Sequence, residues 1–206
     1  MSADLLIEKF VALWLDSPFG REDHYAWQIT RRATERVGAA LSDLDGGYRR
    51  EGDIAVHRTA TIESGAVLKG PAIIGPGCFL AAGAYLRGGV FLDEGCIIGP
   101  GCELKSSFLF KGATLAHFNF VGDSILGADV NLEAGAIIAN HRNEWEAKAI
   151  RFVFGGGVVE PGVEKFGALV GDHVRVGANA VIAPGAIIGR GTKIPRLTLI
   201  DQAPGL

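Results

Sequence analysis

Glu103, Lys105 and His117 are the residues of this 206-residue chain whose types and spacing best suit proton transfer. All three fall in "ELKSSFLFKGATLAHFNFVGD", residues 103 to 123. An imidazole titrates at about pH 6.5, so at neutral pH it can take a proton from an attacking amine or hydroxyl. A carboxylate on a neighbouring strand would orient the ring. A lone histidine would read as an ordinary surface group; the company of Glu103 and Lys105 favours a base. Arg87 precedes Lys105 by three hexapeptides, which is one full turn of the coil argued next. Two cations stacked on one face suit a phosphate or another anion, whereas Arg87 alone would read as a solvated charge.

What must position these residues is a six-residue repeat. Stepping by six from Val56 gives Ile62, Leu68, Ile74, Leu80, Leu86, Leu92, Ile98 and Leu104, all aliphatic. Small residues stand two places earlier (Ala60, Ala66, Ala72, Cys78, Ala84, Val90, Cys96, Cys102), and Gly or Pro recurs three places after most of the aliphatics. The pattern resumes at Phe120, Leu126, Leu132 and Ile138, then at Val170, Val176, Ile182, Ile188 and Ile194. Residues six apart lie on different faces of an α-helix, so the period excludes a helical reading. It describes one flat face of a triangular coil, about 18 residues to a turn, with aliphatic side chains stacked inside and glycines at the corners. The expected fold is an all-β solenoid, a parallel β-helix of hexapeptide repeats, over residues 51–200. The three cysteines, which show no CxxC spacing, occupy the small interior slot and read as buried structural thiols.

The step from Leu104 to Phe120 falls two short of three hexapeptides, so a corner must tighten there. On that count Glu103 and His117 lie on adjacent coils, close enough for the carboxylate to orient the imidazole.

Residues 1–50 lack the repeat and carry apolar residues at helical spacing, Leu6, Phe10, Leu13 and Trp14, then Trp27, Val37, Leu41 and Leu44. Two helices are predicted, broken at "SPFG" and ended by Gly46 and Gly47, forming a cap over the open first coil. Residues 139–169 leave the repeat again. There "AIRFVF" and "GVVE", flanking Gly155–Gly157, predict a small hairpin projecting from the coil. Residues 201–206 read as a tail.

A net charge of −3 and the absence of a dense Lys/Arg run give no electrostatic footprint for nucleic acid. No apolar run reaches the roughly 20 residues a bilayer requires, and the N-terminus lacks a signal peptide's basic start, so a cytoplasmic protein without a membrane partner is expected.

The segment "YLRGGVFLDEGCIIGPGCELKSSFLFKGATLAHFNFVGDSILGADVNLEAGAIIAN", residues 85 to 140, resembles the acetyltransferase domain of the bifunctional N-acetylglucosamine-1-phosphate uridylyltransferases, which are hexapeptide-repeat (LpxA-like) acyltransferases. It is more similar still to the C-terminal domain of the archaeal sugar-1-phosphate nucleotidylyltransferases, through "NHRN…EKFGALVGDHVRVG". The resemblance implies a left-handed coil and a homotrimer with sites between subunits. It also implies transfer of an acetyl group from acetyl-CoA to the amine of an amino-sugar phosphate. It assigns His117 as general base with Glu103 as its partner, and gives Arg87 and Lys105 the sugar phosphate. Asn131 would contact the sugar, and Asn140 would sit near the acyl carbonyl, where an amide donor can steady an oxyanion. Lys165 would reach the substrate, and Ala183 would flank the CoA arm.

Three positions depart from the family. Phe120 stands where the bacterial enzymes have a tyrosine, His141 replaces another tyrosine, and Ser106 replaces a second lysine. These leave open the acceptor (an amino-sugar phosphate or a nucleotide-sugar-type molecule), the acyl chain and its carrier (CoA or acyl carrier protein), and the choice of amine or hydroxyl. No glycine-rich nucleotide loop is present, and the segment 1–50 ahead of the coil is too short to hold a nucleotidyltransferase domain, so a stand-alone acyltransferase is expected. Two other readings stay open. One is a non-catalytic, ligand-binding coil that has lost the activity, which the missing tyrosines favour. The other is a zinc carbonic-anhydrase-like protein, which the spacing of His24, His57, His117, His141 and His173 disfavours. No metal is expected.

Overall fold

Each hexapeptide folds as a two- or three-residue strand followed by a turn, and strands of successive coils pair in parallel. The computed structural model describes residues 3–20 and 25–205, so His24 lies outside the described residues. The strands between Ile54 and Ile200 build three faces of a left-handed parallel β-helix. One face contains the seven strands Thr61–Ile62, Phe79–Leu80, Ile97–Ile98, Thr114–Leu115, Asn131–Leu132, Arg175–Val176 and Lys193–Ile194. In the other two, Tyr85–Leu92 and Glu103–Leu109 each run as one strand around a shared corner.

Inside, the aliphatic columns predicted by the repeat are buried from Ile74 to Ile194, with Val56, Ile62, Leu68 and Ile200 partly buried at the ends. Each fully buried aliphatic contributes about 1.5–3 kcal/mol, and together they hold one coil on the next. Cys78, Cys96 and Cys102 are free and buried in the small slot, as expected, and burial pushes the Cys102 thiol up.

The shortened coil differs from the predicted one. Leu104 pairs with Val121, and Val121 is the interior residue. Phe120 instead pairs with Glu103 on the outward row and is half-buried. The coil is therefore one residue short, not two. The cause is local: Arg87 pairs with Lys105 and Val90 with Ser107, so Gly88 and Gly89 oppose Ser106 alone, with Ser106 at φ +50°. The corner keeps that shortened length one coil later, between Gly122 and Ile125, with Asp123 at φ +45°. In the next coil it opens into the excursion that returns at Ala168–Val170.

The excursion contains the predicted hairpin, Phe152–Phe154 against Gly157–Val159, turned at Gly155 and Gly156, both at positive φ. It folds back rather than simply projecting: Ile150 and Phe152 are buried against Trp27 and Phe166.

The N-terminal segment also departs from expectation. Residues 3–20 form short 3-10 turns rather than a regular helix, and the second predicted helix is split into α1 (Ala26–Arg31) and α2 (Ala33–Ala40) at an elbow. Nor do they cap the first coil. They lie along one flank, over an outward column of Ala55, Ile73, Phe91, Phe108, Ile125, Leu169 and Ile187 that runs the length of the solenoid. Burying that column is the reason for the position. Asp172 clamps the segment near its start, accepting from the backbone N–H of Ala12 at 3.0 Å. Arg190 donates to the Phe10 carbonyl at 2.8 Å. Among the described residues no helix is long and apolar enough to cross a membrane.

Candidate functional site

The corner that tightens and then opens carries a column of polar side chains. Arg87 donates to Glu103 Oε1 through Nε at 2.8 Å and Nη2 at 2.7 Å. One coil on, Lys105 donates through Nζ to Asp123 Oδ2 at 2.7 Å, and Asn140 Nδ2 donates to the same oxygen. Asp123 is only 5% exposed, so its two donors offset much of the cost of burying the charge. The neck of the excursion is tied down beside this group, Phe166 N–H donating to the Asn140 carbonyl at 3.0 Å and Gly167 N–H to that of Asp123 at 2.9 Å.

A cleft of about 480 Å³ opens over the column. Its walls are Lys105, Ser106 and Asp123 on the corner, residues 162–165 of the excursion including Lys165, and the α1–α2 elbow. Lys165 is exposed and has no side-chain partner among the described residues. Three separate stretches of sequence thus bring two lysines, an arginine and a buried carboxylate to one concavity, an arrangement suited to a polar, anionic small molecule.

His117 is elsewhere. It stands exposed at the opposite corner of the face that carries Glu103 and Phe120; its carbonyl accepts from Gly135 N–H at 2.9 Å, and its imidazole has no hydrogen bond or ion pair among the described residues. Glu103, expected to orient the imidazole, is engaged by Arg87 instead, because Arg87 reaches back along the strand beside it. Asn131 lies on the Thr114–Arg175 face, lining a separate cleft of about 240 Å³ with Glu133 and Arg196. His141 is half-buried and follows Asn140 into the excursion. Ala183, nearly buried, donates its N–H to the Ile200 carbonyl at 2.8 Å on the C-terminal coils. Within one chain, then, the structure gathers Arg87, Glu103, Lys105, Asn140 and Lys165 at one corner, and leaves His117, Asn131 and Ala183 at other places on the coil. Among the described residues no three His, Cys, Asp or Glu side chains converge as metal ligands would.

Asp123 was not among the expected site residues, although the signal exists: it follows Lys105 by 18 residues, the same interval that relates Arg87 to Lys105. The elbow residues Thr30 and Arg31 gave no such signal.

Around His117 the surface is apolar. Phe118 is 71% exposed and Leu197 80%, and Val67, Ile137, Val181 and Leu199 form exposed positions on the same face as Glu103 and Phe120.

Comparison with known proteins agrees with this architecture. Residues 167–200 match the family described as "Bacterial transferase hexapeptide (six repeats)". The bifunctional sugar-1-phosphate nucleotidylyltransferase/acetyltransferase of Sulfurisphaera tokodaii is 31% identical over 199 residues, covering 96% of this chain and 48% of that protein. The bifunctional protein GlmU of Methanococcus vannielii is 34% identical over 100 residues, 48% of this chain and 23% of the relative. The chain therefore spans about half the length of the first of these, and its match covers about a quarter of the second. A solved structure of a mutant of AntD, an N-acyltransferase from Bacillus cereus in complex with dTDP and coenzyme A, covers 77% of this chain and 82% of its own at 13% identity. Its TM-score of 0.28 is too slight to bear on function. The chain has the hexapeptide-repeat fold and resembles the bifunctional nucleotidylyltransferase/acetyltransferases.

Proposed function

We propose that the chain is an acyl-CoA-dependent N-acyltransferase that transfers an acetyl group from acetyl-CoA to the amine of an amino-sugar phosphate, working as a homotrimer. One observation carries the reading. Arg87 and Lys105 stand in register at one edge of a face whose other edge presents His117, with the outward positions Tyr85, Glu103 and Phe120 between them. An amino-sugar phosphate laid along that row offers its phosphate to the cations and its amine to the imidazole. The likeness to the bifunctional acetyltransferases supports the same chemistry.

In this mechanism His117 Nε2 or Nδ1 takes a proton from the attacking amine as its lone pair forms the C–N bond to the thioester carbonyl carbon. Negative charge gathers on the carbonyl oxygen. Asn140 has two amide hydrogens, one of them held by Asp123; because it stands at the corner opposite its own chain's His117, the Asn140 that serves this oxygen is contributed by the neighbouring subunit of the proposed trimer. Collapse restores the carbonyl, breaks the C–S bond and releases CoA thiolate, which recovers the proton from the imidazolium. Lys165 and Lys105 hold the acceptor's phosphate side of the cleft, Asn131 contacts the sugar from another subunit, and Ala183 flanks the CoA arm. Phe120 and His141 shape the acceptor site without the hydroxyl a tyrosine would bring. The exposed apolar row around Phe118, Leu197 and Leu199 is the surface by which subunits pack in the trimer.

A second reading is favoured by a specific contact: Glu103 is spent on Arg87, which leaves His117 without a carboxylate. In that case the coil binds the sugar phosphate and does no chemistry. Thiol release from acetyl-CoA with a panel of amino-sugar 1-phosphates separates the two. Turnover lost in His117→Ala supports the enzyme; tight binding by the wild type with no release across the panel supports the binding protein.

A further inference from the structure

The N-terminal elbow stands where a substrate-recognition element would stand. Ala33 and Thr34 press on the coil at Gly89: a Cβ there would lie 2.4 Å from the Ala33 carbonyl carbon and 2.5 Å from the Thr34 nitrogen. Gly89 also adopts φ +89°, so both its conformation and its missing side chain seat the elbow on the tightened corner. The elbow thereby becomes one wall of the cleft that holds Lys105, Asp123 and Lys165.

Two side chains of that wall are unsatisfied. Arg31, the last residue of α1, is exposed and has neither ion pair nor side-chain hydrogen bond among the described residues. Lys105 is neutralised by Asp123, so the open cationic charge of the cleft rests on Arg31 and Lys165, faced by Glu164 alone. Thr30 lines the same cleft at 2% exposure, and its buried hydroxyl has no hydrogen-bond partner. A buried hydroxyl left orphaned is unfavourable, and a ligand oxygen that accepts from it removes the penalty. A turn about χ1 exchanges Oγ1 with the methyl and supplies that donor to the cleft. Ala33 and Thr34, at the start of α2, complete the wall.

We infer that the α1–α2 elbow is a phosphate-recognition element, Arg31 and Thr30 gripping the acceptor's phosphate monoester from the side opposite Lys105 and Lys165. A guanidinium fork matches two phosphate oxygens at once, which a lysine cannot do. The inference rests on the acyl-acceptor reading of the cleft given above. It makes the N-terminal segment half of the substrate site rather than packing alone.

Arg31→Gln and Thr30→Val test it, with calorimetric titration of glucosamine 1-phosphate and of inorganic phosphate beside steady-state assays. Arg31→Gln should weaken both ligands about tenfold and lower the preference for phosphorylated over unphosphorylated amino sugar by a similar factor. Thr30→Val should raise the melting temperature, since a methyl replaces the orphaned hydroxyl, and yet weaken phosphate binding. A purely structural Thr30 would leave affinity untouched. Wild-type affinity and preference in Arg31→Gln would overturn the inference while leaving acyl transfer standing. Weakened phosphate binding in a protein that never turns over would support the elbow and count against the enzyme. A loss confined to acetyl-CoA and absent with 3′-dephospho-acetyl-CoA would reassign the grip to the donor and overturn it for the acceptor.

Discussion

Arg87 and Lys105 occupy the same position in consecutive coils, yet each is drawn to a different carboxylate, Arg87 to Glu103 at 2.7 Å and Lys105 to Asp123 at 2.7 Å. The first pair is about one-third exposed on each side, and the second is largely buried. They therefore differ in how readily they open. The exposed pair can open to a ligand at little cost, because solvent screens it and its net worth is small. The buried pair is part of the scaffold that holds Asn140.

Asp123→Asn isolates the scaffold role. Asparagine tolerates the φ of +45° at this corner, so the backbone is retained while the charge that holds Lys105 is lost. Chemical denaturation should show a loss of about 2 kcal/mol, and acyl transfer should fall at least tenfold as Asn140 loses its anchor.

Gly89→Ala should cost more than a surface glycine. Its φ of +89° and contacts under 3 Å with Ala33 and Thr34 combine backbone strain with a clash, about 2–4 kcal/mol together. Gly95→Ala, at φ +68° with open space around it, should cost only the strain, about 1 kcal/mol. Thermal melts of the two variants give the comparison.

The excursion is pinned from below by Arg142, which donates to Asp201 at 2.5 and 2.6 Å and is almost fully buried. The Arg142 guanidinium, hydrogen-bonded to it, holds the Asp201 carboxyl below the ordinary carboxylate range. Such a carboxyl adds stability that is present above its unfolded value of about 3.9 and is lost as pH falls through the lower folded value. Stability measured from pH 6 downward should therefore drop below about pH 4. Asp201→Asn should remove that part of the drop and cost about 3 kcal/mol at neutral pH. The buried Arg142 would then keep only the exposed Glu144, at 3.5 Å, as a carboxylate partner.

Subunit packing is checked through the apolar surface beside His117. The wild type should sediment at about 65 kDa, three times the 21.7 kDa chain. Leu199→Glu, a charge on a residue 64% exposed in the single chain, should shift it toward the monomer without lowering the monomer's own stability.

The solenoid was legible because its signal is redundant: an interior aliphatic recurs in every hexapeptide, and no other regular structure has that period. Finer register was not. Phe120 and Val121 are adjacent and both apolar, so the repeat alone could not say which faces inward; the one-residue bulge of Gly88 and Gly89 against Ser106 decides it. The flank position of the N-terminal segment did have a signal, the doublets Ile73–Ile74, Phe91–Leu92, Phe108–Leu109 and Ile187–Ile188 on every third face. An unbroken column of such second residues marks a face suited to being covered, whereas a single doublet does not: Ile97, beside the interior Ile98, is 43% exposed. The Arg87–Lys105 stack follows from an interval of three hexapeptides, whereas the choice of Glu103 by Arg87 depends on side-chain reach that no spacing encodes.

The most direct test of the proposed chemistry is CoA release from acetyl-CoA with glucosamine 1-phosphate as acceptor, compared between the wild type and His117→Ala, with sugar-phosphate affinity measured on both. A histidine-centred transfer requires that the variant lose roughly 100-fold or more in rate while binding the sugar phosphate as before. Release at the wild-type rate by His117→Ala would contradict it.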